Sequence, residues 1–235
     1  MARNRAVILI SGRGSNMAAL VEAARDPSYP VEIAGVISDK ADAAGLTFAA
    51  KAGIATRVVA KTDRADKAAL DEATEEALRE LGAEIVCLAG YMRLLGADFV
   101  QKWQGRLINI HPSLLPLFKG LDTHRAALDA GVRVHGCTVH FVTADMDGGP
   151  IIAQAAVPVE PQDDESALAA RVLAAEHRLY PLALRMVAEG KARMEGGRTV
   201  YPPFATTEAG RKAVVLSPEP MPDAVDLEAL ARFTP

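Results

Sequence analysis

Short apolar runs alternate with helix-like segments through the first half of this chain, and that rhythm admits few folds. Ala6-Val7-Ile8-Leu9-Ile10 reads as a buried strand, Gly12-Arg13-Gly14-Ser15-Asn16 as a turn, and residues 17–25 as a helix. A second strand follows over Val31–Ser38, then a short helix over 45–52 and a short strand over 57–59. Residues 66–81 are rich in Ala, Leu and Glu with apolar positions at helical spacing, and residues 85–89 are strand-like again. Branched, uninterrupted apolar strands separated by helices are the signature of a parallel sheet covered on both faces. The expected fold class is therefore α/β, a doubly wound, Rossmann-like and mostly parallel sheet.

After Leu107-Ile108-Asn109-Ile110-His111 the rhythm changes. Pro112, Pro116 and Gly120 make an irregular loop, and residues 124–130 a short helix. Residues 134–142 and 151–159 read as two strands joined by a polar, Gly-rich segment, which predicts an antiparallel C-terminal part with a long functional loop. Residues 165–189 form a long helix with a kink or break at Pro181. From about Gly196 the chain is rich in Pro, Gly and charge, so the expected division is one domain over 1–195 and an extended or partly disordered extension over 196–235. The 235 residues, 50% of them apolar, suffice for one such domain with a substantial core.

Composition narrows the function classes. A net charge of -4 argues against a general nucleic-acid binder, which needs a clustered positive field. It leaves room for a small phosphorylated ligand in one local pocket. Cys87 and Cys137 each lie inside an apolar run and read as buried, reduced thiols of a cytoplasmic protein. The apolar run at 6–10 is too short for a signal-peptide core or a membrane span.

Three places carry chemistry. The turn Gly12-Arg13-Gly14-Ser15-Asn16 joins a buried strand to a helix start, where unpaired N–H groups face an anion. The dinucleotide fingerprint fails, because its third Gly is Met17, and the P-loop Lys is absent. A small phosphate fits, and so does a structural turn in which Ser15 or Asn16 caps the helix. Asn109 and His111 end a strand on one side of it, and ligands collect beyond the carboxyl ends of such strands. An amide donor and an imidazolium there can point at one developing oxyanion. Asp145-Met146-Asp147-Gly148-Gly149 form the later hairpin's tip, either a solvated turn or a carboxylate brought up to His111. His135 and His140, five apart in a strand, face opposite sides, and no HExxH or paired CxxC occurs, so no metal site is expected.

These pieces in this order resemble the phosphoribosylglycinamide formyltransferase family. The resemblance rests on Gly12 to Asn16, Leu88-Ala89-Gly90-Tyr91-Met92-Arg93-Leu94-Leu95, the run Leu107 to Pro116, Thr123-His124, Asp147-Gly148-Gly149-Pro150-Ile151 and Glu176-His177 with Tyr180-Pro181. It covers residues 5 to 200 and implies a formyltransferase fold with catalytic domain 1–195. It implies Asn109, His111 and Asp147 as the catalytic trio. It places the ribonucleotide on Gly14, Ser15, Asn16 and the segment Leu173, Ala174, Ala175, Glu176. It places the folate against Met92, Arg93, Leu94 and Leu95, Asn109, the loop Thr143, Ala144, Asp145, Met146, Asp147, and Lys67. Arg13 departs from the family's commoner Asn.

The activity so implied moves a formyl group from 10-formyltetrahydrofolate, a co-substrate, to the amine of glycinamide ribonucleotide in purine synthesis. Asn109 and protonated His111 would stabilise the tetrahedral oxyanion, Asp147 would hold His111 charged, and a water near the Asp147 loop would relay protons. Neither a metal nor a covalent enzyme intermediate is called for. The partners implied are these two small molecules, with no nucleic acid and no membrane; a homodimer is compatible with the sequence. The rival readings are a formyltetrahydrofolate deformylase, a methionyl-tRNA formyltransferase and a non-catalytic nucleotide-binding module. The first two usually carry added domains, and the third has no use for Asn109, His111 and Asp147 together.

Overall fold

The apolar strands assemble into one seven-stranded sheet in the computed structural model, which describes residues 3–60 and 66–202. Its strands are β1 (Asn4–Ile10), β2 (Val31–Ser38), β3 (Thr56–Val58), β4 (Ile85–Leu88), β5 (Leu107–His111), β6 (Val134–Phe141) and β7 (Ile151–Pro158), in the order β3-β2-β1-β4-β5-β6-β7. Strands β1 to β5 pair in parallel, and β6 runs antiparallel to both of its neighbours. The expected mixed sheet is therefore the one observed. Its chain order reverses between β1 and β4, and that switch point leaves a crevice beyond their carboxyl ends.

Alternation along β1 shows how both faces are covered. Ala6, Ile8 and Ile10 join the core that contains Met17, Leu20, Tyr180 and Leu184. Val7 and Leu9 face the second core, with Leu78, Phe99 and Trp103. The first face carries α1 (Ser15–Ala24) and α6 (Glu165–Ala188), and the second carries α3 (Lys67–Glu80) and α4 (Ala97–Lys102). Between them in sequence lie α2 (Ala44–Lys51) and α5 (Thr123–Asp129). Asp66 caps α3 by accepting from the Ala69 N–H at 2.8 Å, and Asp164 caps α6 by accepting from Ala167 at 2.7 Å.

Two expectations change. Helix α6 continues through Pro181, so the break expected as one option there does not occur. Its buried stripe of Leu168, Val172, Leu179, Tyr180, Ala183 and Leu184 continues past the proline, so packing outweighs the one lost backbone bond. The chain also stays folded beyond 195: β8 (Arg193–Glu195) and β9 (Arg198–Val200) form a hairpin, and the Tyr201 hydroxyl donates to the Ile151 and Ile152 carbonyls. The rest of the expected extension, 203–235, lies outside the described residues.

Candidate active site

The site is built at the crevice from the loops that leave β1, β4, β5 and β6. Two of these loops are tied together at the switch point. The Ser11 N–H donates to the Gly90 carbonyl at 3.1 Å, and the Met92 N–H donates to Ser11 Oγ at 2.8 Å. Beyond Ser11, Gly14 takes the left-handed conformation (φ 74°) and serves as the N-cap of α1 with no side-chain hydrogen bond. The capping option for Ser15 and Asn16 is thereby corrected. The first-turn N–H groups of α1 are left for something other than a cap.

Asn16 is engaged elsewhere: its Nδ2 donates to Glu176 Oε2 of α6 at 2.7 Å. Glu176 is buried, and burial raises its carboxyl pKa against the pull of that bond. The Asn16 Oδ1 is buried with no hydrogen-bond partner. A helix start with open N–H groups, an unfilled amide acceptor and a buried carboxylate thus sit together, while Leu173, Ala174 and Ala175 occupy the turn of α6 just before Glu176.

Across the crevice, Asn109, His111 and Asp147 come together. Asn109 on β5 pairs in register with His140 on β6, and its Nδ2 lies 3.2 Å from His140 Nε2. His140 Nδ1 donates to the Phe141 carbonyl at 2.9 Å, so Nε2 of the neutral ring accepts from Asn109. Burial first, and then nearby His111 and Lys119, lower the His140 pKa, while the Phe141 carbonyl and Asp147 oppose them. This suits the neutral ring. His111 Nε2 donates to the Phe118 carbonyl at 2.9 Å, and its Nδ1 faces Asp147 Oδ2 at 3.5 Å. Both ring nitrogens therefore face acceptors. Asp147 is aimed by the Gly120 N–H, which donates to Oδ2 at 2.9 Å, and by a left-handed backbone of its own (φ 49°).

The loops around this trio are apolar at the surface. Met92 and Leu94 in the β4–α4 loop, Leu117 and Leu121 after β5, and Met146 beside Asp147 are all exposed. Such side chains around a polar centre are the make-up of a small-molecule site. Asp147 also lines a cleft of about 390 Å³ together with Leu115, Lys119 and Arg198. Among the described residues no three of His, Cys, Asp and Glu gather as metal ligands, and no helix is long and apolar enough to cross a membrane.

A family described as formyl transferase matches residues 4–184. The chain belongs to the formyl transferase family. Phosphoribosylglycinamide formyltransferase of Escherichia coli is 45% identical over 188 residues, which are 80% of this chain and 89% of that protein. The trifunctional purine biosynthetic protein adenosine-3 of Bos taurus is 53% identical over 198 residues, 84% of this chain. The chain spans only 20% of that relative's length. The crystal structure of phosphoribosylglycinamide formyltransferase from Brucella melitensis superposes with a TM-score of 0.76 at 60% identity, covering 79% of this chain and 96% of that one.

In this formyl transferase family member, the remaining residues expected at the site divide in two. Thr143, Ala144, Asp145 and Met146 lie in the loop that carries Asp147, and Leu95 lies half-buried in the β4–α4 loop. Arg93 turns its guanidinium toward α3, and Lys67, the first residue of α3, is exposed near Gly96. Sequence reasoning missed His140 and the Phe118 carbonyl as site groups. The first is a matter of cross-strand register, which a single sequence does not print. The second is a backbone atom with no residue-type signal at all.

Proposed function

We propose that this chain transfers the formyl group of 10-formyltetrahydrofolate to the amine of N1-(5-phospho-D-ribosyl)glycinamide, a step of purine synthesis. The observation that carries the reading is the convergence of Asn109, His111 and Asp147 across one crevice from the open N-terminus of α1. The phosphate binds at Gly14, Ser15 and Asn16, where the N–H groups and the helix dipole favour an anion. Glu176 and the Asn16 acceptor face the glycinamide end. The donor lies along the exposed apolar loops, with Met92 to Leu95 on one side and the 143–147 loop on the other.

The neutral amine attacks the formyl carbon, and the formyl oxygen becomes an oxyanion. The free N–H of Asn109 and the His111 imidazolium stabilise that charge. The carbon–N10 bond then breaks, N10 gains a proton and the former amine loses one, so the exchange balances. His111 is the proton donor through Nδ1, whose 3.5 Å contact with Asp147 is the looser of the ring's two, and a water near the Asp147 loop relays the proton. Holding the two substrates in contact supplies much of the rate.

The test is folate release from 10-formyltetrahydrofolate, followed spectroscopically with and without the ribonucleotide. Release that requires the ribonucleotide supports the transferase. Release without it points to a hydrolase, and none under either condition sends the reading to a tRNA acceptor or a binding module.

A further inference from the structure

The β4–α4 loop, residues 91–96, is held in an unusual way for a loop that bears apolar side chains. Its Met92 and Leu94 are 59% and 65% exposed, so burial of these side chains does not anchor it. Tyr91 and Leu95 pack against the second core, and a polar clamp from α3 holds the stretch between them and the loop's end. Arg93 turns away from the crevice and commits every guanidinium nitrogen: Nε donates to Tyr91 Oη at 2.9 Å, one terminal nitrogen to Asp71 Oδ1 at 2.5 Å, and the other to Thr74 Oγ1 at 3.0 Å. The second Asp71 oxygen accepts the Gly96 N–H at 2.8 Å. One carboxylate on α3 therefore grips the loop at its middle and at its end, while Ser11 Oγ holds its start through Met92.

The fit is close. A Cβ on Gly96 would lie 2.5 Å from Asp71 Oδ2, so any other residue there would displace the carboxylate from its present position. The Asp71 and Arg93 side chains are 12% and 14% exposed, which shields the pair from solvent screening. Removing one partner of such a pair leaves the other charge buried and uncompensated, and its loop is then released. A released loop must be ordered again each time a ligand docks against it, and that cost falls on affinity.

We propose that Asp71 is a positioning residue for the folate donor: through Arg93 and the Gly96 N–H it pre-forms the loop against which the donor binds, and the Arg93 guanidinium contributes as the pin of that loop. This rests on the formyl-transfer reading, which places the donor on that loop. Its consequence is selective: among the described residues Asp71 and Arg93 make no hydrogen bond to α1 or Glu176, and the loop meets that side of the crevice through Ser11 alone of the turn before α1.

The test is calorimetric titration of the full chain with an unreactive 10-formyl folate analogue, and separately with glycinamide ribonucleotide. Asp71→Ala should raise Kd for the folate analogue ten-fold or more and leave Kd for the ribonucleotide within two-fold. Asp71→Asn keeps an amide oxygen for one of the two bonds and should fall between Asp71→Ala and the unmodified chain. It also serves if Asp71→Ala does not fold. Equal folate affinity in the unmodified and variant chains overturns the proposal. So does a parallel loss for both ligands, which would mark Asp71 as purely structural. An unmodified chain that binds no folate analogue would instead overturn the reading on which the proposal rests.

Discussion

The imidazole of His111 is held from two sides by acceptors of different kinds. The Phe118 carbonyl fixes Nε2, and the Asp147 carboxylate faces Nδ1. His111→Ala removes the donor, and Asp147→Asn replaces the carboxylate that the ring faces. Each should lower kcat by about 10²-fold to 10⁴-fold while circular dichroism and melting stay close to those of the unmodified chain. Near-normal turnover in either variant would remove that residue from the mechanism. His140 acts one step back, because its lone pair decides which way the Asn109 amide points. His140→Ala should lower kcat about ten-fold with the KM of both substrates little changed, an effect that full kinetics on each substrate would resolve. An unaltered kcat would mean that Asn109 holds its orientation without it. Asn109 and His111 were legible in the sequence because strand alternation puts them on one side. The approach of Asp147 was not, since it depends on how a loop 36 positions later folds back, and its left-handed backbone leaves no mark in residue order.

At the scale of elements, legibility followed the strength of the periodic signal. Strands β1, β2 and β5 are apolar runs bounded by Gly, Pro or polar residues, and such runs have few other destinations. Helix α4 is six residues long, too short to show a period, and the three-residue strands β8 and β9 are shorter still. The helix does not break at Pro181 because its buried stripe continues on either side of the proline. The turn before α1 left two options open, and the structure closes one: Gly14, with no side chain, is the N-cap at which the helix starts. That distinction makes a sharp test. If Ser15 were the cap, Ser15→Ala would cost about 1 kcal/mol of stability. As Ser15 is not, the variant should melt like the unmodified chain and bind the ribonucleotide about ten-fold more weakly, with folate binding unchanged. Calorimetry with each ligand, beside a melting curve, reads all three. Unchanged ribonucleotide affinity would put the phosphate elsewhere.

For the whole molecule, the same burial that shapes the site sets how folding responds to acid. His135 is 1% exposed, and its ring packs edge-on to Phe118 and His124. Burial, reinforced by His124 and opposed by a hydrogen bond to the Pro112 backbone, pushes its pKa down from 6.5 to about 4. The unfolded chain takes up a proton there near pH 6.5, whereas the folded chain resists it until near pH 4. Between those values the unfolded state binds more protons, so stability rises with pH across the window. The contribution is fully present above pH 6.5 and lost by pH 4, a swing of ~3 kcal/mol for a shift of this size. Burial also lowers His124, His140 and His177, which act in the same direction, while the raised carboxyl of Glu176 acts against them. Replacing His135 with a ring that cannot titrate should therefore make the acid limb shallower without flattening it. Urea midpoints of His135→Phe and the unmodified chain, measured at steps from pH 7.5 to 4.5, should start close together and diverge as acid is added, with the variant losing less. Parallel limbs would show that His135 takes up its proton equally in both states, and that the acid sensitivity of this fold lies with the other imidazoles.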